Sequence, residues 1–157
     1  MKAVDESLQR GRFKFEKSHE LQTAKLIEIM DKATALKDLV NDARSKRILK
    51  FMLPPDQREA ARQSARDAKQ AVALAMNQWV NLTLDSRAYF PVDTYHAIDS
   101  TIMMFGNAFV AITRMEYDEE NKKIIYTEDG YGENSFNEMY KAIKSLQDEF
   151  KRLQEIK

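Results

Sequence analysis

The stretch LIEIMDKATALKDLVNDA, residues 26–43, decides the fold of this protein. Its apolar residues recur at steps of three and four, at Leu26, Ile29, Ala33, Leu36, Val40 and Ala43. That spacing places one apolar stripe along a helix and leaves charged side chains on the opposite face. The stretch therefore predicts an amphipathic helix whose stripe is covered by other helices.

The same spacing returns three times, and prolines and glycines separate the repeats. The further stripes are Ala61, Ala65, Ala68, Val72, Ala75, Trp79 and Leu82; Tyr95, Ile98, Ile102, Phe105, Phe109 and Ile112; and Phe136, Met139, Ile143, Leu146, Phe150 and Leu153. The breaks are Pro54, Pro55, Pro91, Gly130 and Gly132. Proline and glycine are the costliest residues inside a helix, so the tracts between them can be continuous helices. The sequence predicts an all-α protein, an antiparallel four-helix bundle.

The breaks also predict where each helix begins and ends. We expect helices over about 2–49, 54–85, 91–117 and 135–157, and the spacings Asp56 to Glu59 and Ser135 to Glu138 predict capping boxes. The connection 118–134 is long for a bundle. Its middle, residues 123–127, has strand character but no partner strand in this interpretation.

The first predicted helix outruns the others, at ~70 Å against ~45, ~39 and ~33 Å. We expect one helical domain over 1–157, with a bundle over 21–157 and a helical overhang or coiled-coil lead-in over 1–20. Large apolar side chains are not favoured on a bare exposed helix. We therefore predict that Leu8, Phe13 and Phe15 bind a second copy of this chain or a protein partner.

Charge is balanced overall but divided along the chain. Basic and acidic residues number 25 each, so no net field draws the chain to nucleic acid or to a membrane. Residues 1–91 carry +5 and residues 92–157 carry −5, which predicts that the two parts pair inside the bundle.

Other classes of site and location are limited by composition. The chain has no cysteine, which excludes disulfides and thiolate chemistry. Its most apolar stretch, residues 97–112, is shorter than the ~20 residues of a membrane span. The first residues lack the apolar run of a signal peptide. We expect a cytoplasmic protein without a membrane span.

The segment FEKSH, residues 15–19, is followed by LIEI, residues 26–29, and LKDL, residues 36–39. This order resembles a loose group of uncharacterised bacterial α-helical proteins, in which a charged coiled-coil lead-in precedes an F-x-x-x-H segment and a helical bundle. The segment YFP, residues 89–91, resembles a later segment of that group that opens another helix. The resemblance covers residues 1–105 and implies no activity and no catalytic residue.

Two carboxylate-x-x-His motifs suggest an alternative, a metal centre. Glu16 and His19 lie on the first helix, and Asp93 and His96 lie on the third. Diiron carboxylate bundles use Glu-x-x-His on two helices, because that spacing aims both ligands at one metal pair. The other interpretation is that both histidines lie at the surface, and we expect no metal and no cofactor.

Arg12 and His19 resemble the loose Arg-x(4–6)-His pattern of HEPN-type ribonucleases, which are also helical bundles. The resemblance implies that the histidine acts as an acid or base and that the arginine holds phosphate. An enzyme that uses His19 is therefore a second form of the catalytic alternative.

A basic ridge runs along the second helix at Arg58, Arg62, Arg66 and Lys69. A further basic cluster at Arg44, Lys46, Arg47 and Lys50 closes the first helix. Such ridges can track phosphates, which makes a nucleic-acid-binding module another alternative. The favoured interpretation is a solvated face that pairs with the acidic helices 3 and 4, and the sequence does not favour a nucleic-acid partner.

Taken together, these patterns favour a non-enzymatic helical interaction or scaffold module that acts through protein–protein contacts. The enzyme that uses His19 and the nucleic-acid module that uses the Arg58–Lys69 ridge remain open. No catalytic residue is assigned.

Overall fold

The computed structural model describes the backbone of residues 2–127 and 130–155, and the side chains of residues 19–127 and 130–155. Its elements are α1 (Lys2–Met52), α2 (Arg58–Ser86), α3 (Val92–Thr113), β1 (Met115–Asp118), β2 (Lys123–Tyr126) and α4 (Glu133–Glu155). Short 3-10 turns at Pro55–Gln57 and Arg87–Tyr89 flank α2. The predicted all-α class is confirmed.

The helices pack as two antiparallel pairs, α1 with α2 and α3 with α4. In the first pair, the indole Nε1–H of Trp79 donates to the carbonyl oxygen of Ile29 at 3.0 Å. In the second pair, the hydroxyl of Thr94 donates to the carboxylate of Glu149 at 2.9 Å. The Phe105 ring meets Trp79 edge to face, with centroids 5.3 Å apart, and so joins the two pairs.

The predicted apolar stripes supply the core. Its largest fully buried side chains are Trp79, Phe105, Phe136, Leu26, Ile29, Leu36, Ile112, Met115, Met139, Leu146, Val40 and Val72. Ile102, Phe109 and Phe150 belong to the same stripes but are only partly buried. For Phe109 the reason is geometric, because its ring lines an open pocket beside α2.

The structure corrects both predicted capping boxes. Gln57 caps α2 without a side-chain hydrogen bond, so Asp56 and Glu59 form no capping box there. Prolines 54 and 55 instead lead into a 3-10 turn, as expected where the missing N–H costs nothing. At α4, the helix already begins at Glu133, and the hydroxyl of Ser135 accepts from the backbone N–H of Gly132 at 3.4 Å.

A β-hairpin replaces the last turn of the predicted third helix. The helix ends at Thr113, and β1 then pairs antiparallel with β2, so that Met115 faces Tyr126 and Asp118 faces Lys123. The strand-like segment therefore has a partner strand, and the predicted helical range to residue 117 is wrong. Pairing satisfies the backbone groups of both strands, which one extended segment cannot do.

The first helix is far longer than its neighbours. It has 51 residues against 29 in α2, and its first buried apolar side chain in the described residues is Leu26. The side chains of Leu8, Phe13 and Phe15 lie outside the described residues. Among the described helices, none combines the length and apolarity needed to cross a bilayer.

The buried ring of Phe105 generates a stability prediction. We expect Phe105→Ala to lower the free energy of unfolding by about 3–5 kcal/mol, because a fully buried phenyl leaves a cavity. Met103→Ala, on the exposed face of the same helix, should cost less than about 0.5 kcal/mol. Urea unfolding measures both changes, and equal costs would contradict the assignment of the core face.

Candidate anion-binding site

The alternative metal centre of Glu16, His19, Asp93 and His96 lies only partly within the described side chains. Within the described side chains, no group of three histidine, aspartate or glutamate residues is placed to hold a metal ion. His96 is exposed on α3, with its ring 5.0 Å from that of Tyr95, and Asp93 is exposed beside it. The metal centre needs Glu16 and the ribonuclease-like site needs Arg12. Both side chains lie outside the described residues.

The basic ridge does not pair as predicted. Arg62 forms its ion pair with Glu59 on its own helix, at 3.7 Å. Arg58 approaches Glu119 in the hairpin turn, at 3.9 Å. In the described part of the chain, no ion pair joins Arg66 or Lys69 to an acidic side chain. The predicted pairing of this ridge with helices 3 and 4 is therefore wrong.

Several acidic groups of α3 and α4 pair with cations outside the ridge. Asp99 on α3 pairs with Arg87 at the end of α2. Glu133 on α4 pairs with Arg44 on α1. At the level of the ridge, α3 instead presents the apolar side chains of Phe109 and Ile112.

The ridge forms one wall of a cationic pocket between α1, α2 and α3. The pocket has a volume of about 420 Å³ and is lined by the cations Arg47, Lys50, Arg62, Arg66 and Lys69. Its remaining lining residues are Ala43, Ala65 and Ile112, which are buried and form an apolar floor. Among the residues that the structure describes, no carboxylate lines this pocket.

Helical spacing and the α1–α2 turn explain why these cations converge. On α2, residues 62, 66 and 69 are four and three positions apart, so they share one face. On α1, residues 47 and 50 share a face for the same reason. The Pro54–Pro55 turn reverses the chain and sets the last turns of α1 beside the first turns of α2. The small side chains of Ala43 and Ala65 leave space between the helices.

Arg47 is held in place by the backbone. Its guanidinium donates to the carbonyl oxygen of Met115 at 3.1 and 2.8 Å, and to that of Thr113 at 3.3 Å. Burial lowers the pKa of Arg47, and the nearby carboxylate of Glu116 partly opposes this shift. Arg47 therefore stands at the pocket as a fixed cation whose Nε and Nη2 donors are bound to the backbone.

The pKa of Lys50 shows that the cations lie close together. Burial lowers its pKa first, and repulsion from Arg47, Arg62, Arg66 and Lys69 lowers it further. Groups from two helices thus act on one ammonium. An anion placed among them would be attracted by all of these charges at once.

Sequence reasoning identified each of these basic residues but left them in two separate clusters. It missed that Arg47 and Lys50 join the ridge, although the signal was available in the proline turn between antiparallel helices. It also missed that Phe109 and Tyr117 line two neighbouring pockets. Phe109 belongs to a core stripe, and Tyr117 lies in a segment predicted to be helical.

Comparisons of this chain with protein-family models, curated proteins and solved structures find no match.

The crowding of Lys50 generates a titration prediction. We expect its Nζ to titrate below the ordinary lysine pKa of 10.5. Since the folded-state pKa is lowered, the charged form opposes folding below that value, and this penalty disappears as pH rises toward 10.5. Arg66→Ala should raise the Lys50 pKa by removing repulsion, and added tripolyphosphate should raise it in the wild type.

Side-chain NMR of selectively labelled lysine measures these pKa changes, with Lys50→Arg to assign the signal. A Lys50 pKa at or above 10.5 in the free protein would contradict the convergence of charge.

Proposed function

We propose that this protein is a non-enzymatic helical interaction module whose main binding surface is the cationic pocket, and that its partner is a polyanion. The observation that carries the proposal is the convergence of five cations on one pocket, with no carboxylate among its described lining residues. Like charges repel when they are crowded, and a bound polyanion relieves that repulsion.

The chemistry of the lining supports binding rather than catalysis. Arginine and lysine hold negative charge, and alanine and isoleucine supply an apolar floor. Among the described residues, the lining has no histidine, carboxylate or hydroxyl, so its ionisable groups are lysines and arginines alone. The proposal includes a cytoplasmic location, which accords with a chain that contains no cysteine.

Arg66 and Lys69 provide the test, because neither is used in an ion pair of the described residues. We expect Arg66→Ala/Lys69→Ala to weaken binding of a long-chain inorganic polyphosphate and to reduce the salt slope of log K by about 1 to 2. The matched control is Lys144→Ala/Lys151→Ala, which removes the same charge from exposed positions on α4. Binding is followed by calorimetry over a series of salt concentrations.

Equal weakening by the two double variants would show that the polyanion responds to total charge alone. That result, or no binding of polyphosphate by the wild type, would overturn the proposal.

A second candidate function is self-association through the lead of α1, and helix length favours it. The helix has 51 residues while the other three have 29, 22 and 23, so its first turns extend past their ends. A lone helix of ~12–15 residues is marginal in water, so such a lead gains stability from a partner. We propose a second copy of this chain as that partner, as in a coiled coil.

Removal of residues 1–17 tests this association. The truncated chain should keep its helical bundle, because the core begins at Leu26, but should lose assembled mass. Sedimentation gives the mass, and circular dichroism confirms that the bundle is folded. A full-length chain that remains monomeric at high micromolar concentration would contradict self-association.

A further inference from the structure

The cationic pocket lies between two further pockets. Towards the hairpin, it shares Lys50 and Arg62 with a second pocket of about 340 Å³. Towards the middle of α2, it shares Arg66 and Lys69 with a third pocket of about 200 Å³. The three pockets therefore lie next to one another along α2, and we call this row of pockets the groove. An elongated ligand fits such a shape better than a compact one does.

Each end of this groove carries an aromatic side chain. At the hairpin end, Tyr117 is partly exposed and stacks on Phe51, with centroids 6.1 Å apart and planes 15° apart. At the other end, the partly exposed ring of Phe109 lies 6.0 Å from the ammonium of Lys69. Cations therefore occupy the centre, and planar apolar surfaces occupy both ends.

The hairpin end also has acceptors that a phosphate would avoid. Glu116 and Glu119 line this pocket together with Tyr117. Carboxylates repel phosphate, but they accept hydrogen bonds from the amino groups of nucleobases. This end is thus suited to a base and the central pocket is suited to phosphates. An acidic peptide would meet repulsion from both glutamates and would gain little from the rings.

The dimensions favour a short single strand. From Arg58 to Ala73 the groove follows α2 for about 22 Å, at ~1.5 Å per residue. Proteins that bind single strands combine a cationic groove with stacking aromatics, over sites of about 4 nucleotides or more. In a duplex the bases are stacked on one another, and their faces are not available to Tyr117 or Phe109.

We propose that the groove binds single-stranded nucleic acid, with phosphates in the cationic pocket and bases against Tyr117 at one end and Phe109 at the other. This inference rests on the proposed polyanion binding and adds the class of the ligand. Sequence preference follows from the faces and edges of the bases at the ends, whereas the central contacts are independent of sequence.

The test uses the full chain and a labelled oligothymidylate of about 12 nucleotides, with polyphosphate as the probe of charge alone. Tyr117→Leu and Phe109→Leu should each weaken oligonucleotide binding roughly 5- to 100-fold, and should change polyphosphate binding less than about 2-fold. The matched control is Tyr89→Leu, which removes an exposed ring outside the groove and should change neither. Thermal unfolding verifies that each variant is folded.

A measurement on the wild type keeps the inference testable if a variant fails to fold. The single strand should bind at least about 10-fold more tightly than the duplex of the same length, because only the single strand offers base faces for stacking. Equal binding of duplex and single strand, or unchanged oligonucleotide binding by both folded leucine variants, would overturn the nucleic-acid inference. Polyphosphate binding that still depends on Arg66 and Lys69 would then leave the proposed function standing. Failure of both probes to bind would overturn both.

Discussion

The contact between the Arg47 guanidinium and the backbone carbonyls of Thr113 and Met115 fixes the junction on which the groove depends. The carbonyls at the end of a helix lack partners and carry partial negative charge, so a cation there is stabilised. Arg47 therefore links α1 to the last residue of α3, Thr113, and to the first residue of β1, Met115. Because β1 carries Tyr117, the same contact also positions one end of the groove.

This arrangement places the charge of Arg47 close to other cations and so produces electrostatic repulsion. Its positive charge stays at the edge of the cationic pocket, where it lowers the pKa of Lys50 together with three further cations. A carboxylate among these cations would offset their repulsion and stabilise the fold. None lines the pocket among the described residues. Proteins tolerate such local repulsion where it serves binding, since function and stability often conflict at a site. Burial is the larger cause of the lowered Lys50 pKa, and repulsion among the cations adds to it.

Periodicity predicted the helices well, because apolar residues spaced three and four positions apart indicate which face of a helix is buried. Trp79 and Phe105 are fully buried as expected. It failed where a local pattern had two solutions. The strand-like segment 123–127 was recognised, but residues 115–117 of β1 were predicted to be helical because the pairing of the two strands could only be identified in three dimensions. The groove was not predicted from the sequence, for a related reason. Each cation was visible in the sequence, whereas their convergence depends on how α1, α2 and α3 are placed relative to one another.

The division of charge along the chain explains how a protein with balanced charge carries a strongly cationic groove. The acidic second part does meet the basic first part, but at particular places: Glu133 meets Arg44, and Asp99 meets Arg87. Glu133 also accepts a hydrogen bond from the hydroxyl of Tyr126, whose pKa is raised to about 12 by burial and by that carboxylate. These contacts commit acidic groups to the outer edges of the bundle. Among the described residues, Arg66 and Lys69 form no ion pair with an acidic side chain. A global balance of charge therefore coexists with a local excess of positive charge at the cationic pocket.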